Sequence, residues 1–163
     1  MVKISLATLK DLLEILKTKS FKEILFGKKV ALRPQERKLL EWIKHNPQEF
    51  VKIGGRKGHF VKKDIVHKGR GTVYLLPHKD DNPKHSILLF GNQVNIQSGP
   101  DLYVYLATTK KGSGKILNLG LLKGTKGGQS YIIKEPIEKL SGYNSVVVYC
   151  KKFEVQFTYA ALR

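Results

Sequence analysis

Cys150 is the only cysteine in the 163 residues. It ends an apolar run, Tyr143-Asn144-Ser145-Val146-Val147-Val148-Tyr149-Cys150. A thiol does chemistry as the thiolate, and neighbouring cations lower its pKa. Lys151 and Lys152 follow it directly. They act on the sulfur only if the chain turns them towards it; neighbours on a strand face opposite sides, and a corner can turn both to solvent. A lone cysteine in a β core also serves simply as a small buried hydrophobe. As a working group, Cys150 would be a redox thiol, forming a sulfenic acid or an intermolecular disulfide. With one cysteine, an intramolecular disulfide and a paired Cys-x-x-Cys metal site are both excluded.

The remaining chemical groups are sparse. The five histidines, His45, His59, His67, His78 and His85, all fall in one stretch. Their spacing matches no metal pattern, and no metal site is expected. His67 reads as a hydrogen-bonded core or turn residue; its second reading has it meeting Cys150 across a sheet as a cofactor-binding group. Asp101 follows Gly99-Pro100, a sequence that caps turns more often than it supplies a catalytic acid. Lys111-Gly112-Ser113-Gly114-Lys115 lacks P-loop spacing. No catalytic triad or functional carboxylate pair is visible. From its residues the chain reads as a redox-thiol or binding module rather than a classical enzyme.

The elements that must hold Cys150 fall into two parts: a helical N-terminal segment, residues 1–53, and a β domain, residues 58–163. In the first, Leu9, Leu12, Leu13 and Leu16 recur at i, i+3, i+4 and i+7, the spacing of one helix face. A second start signal is the capping-box spacing Ser20 to Glu23, closed by Gly27 and Lys28. A third helix begins at Pro34, a favoured first-turn residue. It carries Leu39, Leu40, Trp42 and Ile43 inward and stops near Asn46-Pro47. These stripes read as core faces first and as partner or membrane surfaces second.

Glycines at 54, 55 and 58 mark a linker or turn, and beyond it the apolar period shifts towards two. Strands are expected at residues 59–66, 71–76, 86–90, 93–96, 102–108, 129–133, 146–150 and 153–159, with longer loops at 77–84 and 109–115. These strands are rich in Val, Ile, Tyr and Phe and are punctuated by Gly, Pro, Asn and Asp. Within residues 102–108, Leu102, Val104 and Leu106 share one face and Tyr103 and Tyr105 the other. The fold expected is mainly β: an antiparallel β sandwich or barrel with an N-terminal α-helical segment.

Thirty basic against 13 acidic residues give a formal net charge of +17, a surface that attracts an anionic surface or polymer. The composition argues against nucleic acid. Arg, the residue suited to bidentate phosphate and guanine contacts, occurs only at 33, 37, 56, 70 and 163, and the excess charge is spread over both parts of the chain. No apolar run reaches the ~18 residues of a membrane helix. Lys3, Lys10, Asp11 and Glu14 interrupt the opening segment, which does not read as a signal peptide. The chain is expected to be cytoplasmic, or to have had an export segment removed.

One ordered set of motifs remains: Gly58-His59-Phe60, His67, Gly71-Thr72-Val73, Gly99 to Leu106, Leu119 to Gly124, Gly128-Gln129-Ser130-Tyr131, Tyr143 to Cys150, Phe153 to Phe157 and Ala161-Leu162. The set resembles the electron-transfer DM-thirteen family over residues 58–163. The resemblance implies a redox or electron-transfer accessory module in which Cys150 takes the position of the hallmark cysteine, as a redox thiol or as the holder of a prosthetic group such as haem. It also implies an extracytoplasmic setting and an unidentified redox partner. The alternative function is a non-catalytic binding or structural β module, with Cys150 in the core and a basic surface docked on an anionic partner. Residues 1–57 lie outside the resemblance.

Overall fold

The computed structural model describes residues 26–78 and 84–163, together with Lys10, Leu13 and Glu14. Of the first two helices of the sequence reading, the described residues hold only Lys10, Leu13 and Glu14, which are helical with Leu13 exposed, and Phe26 to Lys28 at the end of the second, where Gly27 takes the positive φ of 74° expected of a helix-ending glycine.

The first helix described, α1 (Pro34–His45), starts at the expected proline. Glu36, in its first turn, accepts the Arg33 backbone N–H at 2.6 Å. Leu40 and Ile43 are buried, and Leu39 and Trp42 pack at the margin of the same layer. Asn46-Pro47 ends α1 as expected, but Pro47 also opens a second short helix, α2 (Pro47–Lys52), which buries Phe50. The same proline stops one helix and serves as first residue of the next, since it lacks only an N–H that a helix start leaves unbonded.

Two antiparallel four-stranded sheets follow. The first has the order β1 (Arg56–His59), β3 (Thr72–Pro77), β4 (Ser86–Phe90), β8 (Gln129–Ile133). The second has the order β10 (Val155–Ala161), β9 (Ser145–Cys150), β6 (Leu102–Ala107), β7 (Ile116–Leu121). A separate ribbon pairs β2 (Gly69–Arg70) with β5 (Asn95–Ile96). The sheets are open and face each other, so the architecture is the sandwich and not a closed barrel. Their facing side chains, among them Val73, Leu75, Leu88 and Phe90 against Val104, Leu106, Val146 and Val148, form one core. The outer face of the first sheet is covered by α1 and α2: Leu32, Leu40, Ile43 and Phe50 pack on Leu76, Ile87 and Leu89. Being buried on both faces, β4 reads as an unbroken apolar run rather than an alternating one.

Three expectations are corrected. The strand expected at 59–66 is β1 at Arg56–His59, starting inside the presumed linker. After it, the Asp64 side chain accepts the N–H groups of Val66 (2.8 Å) and His67 (2.6 Å), a local turn that competes with the ladder. The strand expected at 153–159 begins at Val155, because residues 151–154 form a tight turn with Glu154 at a φ of 51°. Neither the edge strand β7 nor the two-residue β2 is among the expected strands. Asn118 and Gly120 break the alternation of β7, and Gly120, at a φ of 102°, sits at a β-bulge against β6, where the pairing register shifts.

Candidate functional site

The Val146-Val147-Val148 run makes β9 a strand because β-branched residues suit a pleated, packed surface. Its place between β6 and β10 makes it central. Val146, Val148 and Cys150 point into the sandwich. Cys150 lies opposite Leu102 on β6 and Val155 on β10, and its side chain is fully buried.

Two loops close over that sulfur. One is the approach to β6, Gly99-Pro100-Asp101; the other is the 151–154 turn. They are tied by the Lys151 N–H, which donates to the Asp101 carbonyl at 2.9 Å. Gly99 is needed for this close approach: a Cβ there would lie 2.7 Å from the Phe157 ring and 3.2 Å from Leu102.

The Cys150 thiol has its pKa pushed up. Burial is the main cause, and the Asp101 carboxylate adds to it. Against these stand the backbone N–H groups of Phe153, Asp101 and Lys152, which act on the sulfur in favour of the charged form. Consecutive backbone amides of this sort form an anion-binding concavity. The Lys151 ammonium is turned away from the thiol. Lys151 carries its ammonium over the Tyr103 ring, 5.3 Å from the centroid, on the opposite face of the sheet. That face holds Tyr103, Tyr105 and Tyr149 with ring centroids 6.3 and 5.7 Å apart, so the two-faced pattern expected of β6 is present.

His67 is not among the groups that shift the Cys150 thiol. The His67 ring donates from Nδ1 to Asp64 at 2.8 Å and packs edge-on against Phe157 at 5.1 Å, the turn residue of the first reading. Asp64, bound by these donors, is held at a pKa of about 2. Among the described residues, no group of three His, Cys, Asp or Glu side chains is arranged to hold a metal, and no helix is long and apolar enough to cross a membrane.

A haem held by Cys150 does not fit this fold. An iron–thiolate bond needs an open approach to the sulfur, whereas here the side chain is fully enclosed and backbone amides already face it. What sequence reasoning missed is the part played by main-chain groups. Asp101 and Lys152 matter at the sulfur through their N–H groups, which no side-chain pattern advertises. The signals that existed were the Gly-Pro-Asp bend and the Lys-Lys-Phe corner, which mark where a backbone turns its amides inward.

No curated protein and no solved structure matches this chain. The family described as Electron transfer DM13 matches residues 59–162, and so takes in every element that encloses Cys150. The chain belongs to that electron-transfer family.

Proposed function

We propose that the chain is an electron-transfer accessory module in which Cys150 is the redox-active group. The observation that carries this reading is the convergence of three backbone N–H groups on a buried sulfur. A purely apolar core position has no use for such donors, whereas in the closed state they favour the thiolate, and opening of the 151–154 turn, which withdraws the Lys152 and Phe153 N–H groups, bares the sulfur as a more basic and more nucleophilic thiolate. The simplest step is thiol–disulfide exchange with a partner disulfide. Cys150 gives up its proton, and its sulfur attacks one partner sulfur. A new S–S bond forms as the old one breaks, and the leaving sulfur takes up a proton. The Cys150 sulfur is oxidised and the leaving sulfur reduced to a thiol, which leaves Cys150 in a mixed disulfide with the partner. The turn must open for the partner to reach the sulfur, so exchange is gated by the fold.

The test is the rate at which a small aromatic disulfide labels Cys150 in folded and in denatured protein, followed against pH. The expected result is slow, complete labelling of the folded protein, at a rate that the 151–154 turn controls. Labelling that never proceeds without global unfolding overturns the reading. Cys150 is then a core hydrophobe, and the alternative of a binding module with a basic docking surface takes its place.

A further inference from the structure

A cleft of about 480 Å³ lies beside the β2–β5 ribbon, and Cys150 does not line it. Among its described lining residues are Lys62, Lys68, Arg70 and Lys126, and none of those described is acidic. All four cations are exposed. None of them forms an ion pair with another described residue.

Main-chain pairing brings these charges together. Lys62 lies opposite Lys68 in an antiparallel bridge, and Lys126 lies opposite Asn95. Arg70 is also paired with Asn95, across the ribbon. The Gln97 N–H donates to the Lys68 carbonyl at 2.9 Å, and the Gly127 N–H to the Val94 carbonyl at 2.9 Å. The uncharged segment 95–97 thus ties residues 62–70 to Lys126 and fixes the four positive charges around one cavity. Like charges placed opposite each other on paired strands are destabilising. The nearest acidic side chain in sequence, Asp64, is occupied by His67. The cluster lacks a counter-charge from the described residues, and an anion in the cleft would supply it.

We infer that this cleft is a binding site for a small polyanion bearing a chain of phosphate groups. The volume lies in the range of small-molecule sites, roughly 300–1,000 Å³, and exceeds what a single phosphate fills. Arg70 offers the planar fork that takes two phosphate oxygens at once, and the lysines act as point charges along the chain. Asn95 and Gln97, half-buried in the lining, add neutral hydrogen-bonding groups. Phe26, exposed at the margin, offers a flat apolar surface for a base. The phosphate chain could come as inorganic polyphosphate or as part of a nucleoside triphosphate. The site stands whether or not Cys150 is redox-active.

The experiment is calorimetric titration of the full chain at low ionic strength with orthophosphate, inorganic tripolyphosphate and a nucleoside triphosphate. The same titrations are run on Lys68→Ala/Arg70→Ala and on Lys110→Ala, which removes a charge outside the cleft. All three substituted side chains are exposed, and unchanged circular dichroism confirms the fold. The expected result is one tripolyphosphate per chain, bound at least about ten-fold tighter than orthophosphate and weakened about ten-fold or more by the double substitution, as for the loss of charge-assisted contacts. Lys110→Ala leaves the affinity within about two-fold, the small effect of a distant screened charge. A nucleoside triphosphate that binds more tightly, with the gain lost in Phe26→Ala, identifies a nucleotide; equal binding identifies the bare phosphate chain. Absence of binding, several ions per chain, equal affinity for orthophosphate, or equal losses in the double variant and Lys110→Ala would each overturn the site.

Discussion

Asp101 acts on Cys150 in two opposed ways: its backbone N–H favours the thiolate, while its carboxylate raises the thiol pKa. The residue is half-buried at the start of β6, and its carbonyl holds the Lys151 N–H. The main-chain part is fixed by the loop. The charge can be removed by itself.

Asp101→Asn keeps the backbone and removes the negative charge, so the Cys150 pKa should fall. The readout is thiolate absorbance near 240 nm, a wavelength set by the chromophore, followed through an alkaline titration of folded protein with Cys150→Ala as the blank. A midpoint that stays put or rises would show that the Asp101 carboxylate does not reach the sulfur.

The same thiol predicts an alkaline weakening of the fold. Its folded pKa lies above its unfolded one, so its contribution is complete below the unfolded pKa. That contribution is lost as pH rises through the folded pKa, because the unfolded chain has by then released its proton. Urea midpoints taken upward from pH 8 should decline more steeply in the wild type than in Cys150→Ala, around the ordinary thiol pKa of about 8.5. Parallel curves would mean that the sulfur titrates alike in both states.

Gly99→Ala places a methyl group 2.7 Å from the Phe157 ring. The ring is part of the packed core and gives way poorly. The expected cost is about 1–3 kcal/mol, as for other overpacked sites. The displacement should move the 99–101 loop off the sulfur, so disulfide labelling of Cys150 should speed up by more than the stability loss alone explains. Labelling that merely tracks global stability would show that the loop is not the gate.

The strands that position Cys150 were legible because their signals are local. Val146 to Val148 announce a central strand, and Leu102 to Leu106 alternate cleanly, which places Cys150 opposite Leu102 once the two strands pair. Strand β7 was hidden because an edge strand with a bulge at Gly120 needs no clean alternation. The sulfur's surroundings were hidden for a different reason. Asp101 and Phe153 are 52 residues apart in the chain, and they meet only through backbone groups that every residue type shares. The cationic cleft was hidden likewise: Lys62, Lys68, Arg70 and Lys126 look like evenly spread charge until the β2–β5 ribbon collects them.

Glu36 ties α1 to the first sheet. It is buried and accepts hydrogen bonds from the Ser130 hydroxyl on β8 and from the Arg33 backbone and guanidinium. Burial by itself would raise its pKa, but the hydrogen bonds and the Arg33 charge outweigh it and hold the carboxyl below its usual value. A lowered folded pKa gives stability that is complete above the unfolded value and is lost as pH falls through the folded one. Glu36→Gln should therefore flatten the acid limb of stability below about pH 4.3, the ordinary Glu value. Glu36→Ala, which strips Ser130 of its partner, should cost about 1–3 kcal/mol at neutral pH. An acid limb identical to the wild type in Glu36→Gln would assign it to other carboxylates, Asp64 first among them.

Deleting residues 1–53 removes α1 and α2 and uncovers Leu76, Ile87 and Leu89 on the first sheet. Each is essentially fully buried, and full burial of such a side chain is worth about 1.5–3 kcal/mol. The loss should be on the order of 5 kcal/mol, comparable with the whole stability of a small domain. A bare apolar sheet face also invites association. The truncated chain should unfold at a much lower temperature or aggregate, and Leu40→Ala/Ile43→Ala in the full chain should reproduce part of the loss without exposing the whole face. The decisive reading is thermal unfolding of the double variant. A clear downward shift shows that the helices are part of the β sandwich's own core. An unchanged midpoint shows that they rest on it without stabilising it, and would free them for a partner.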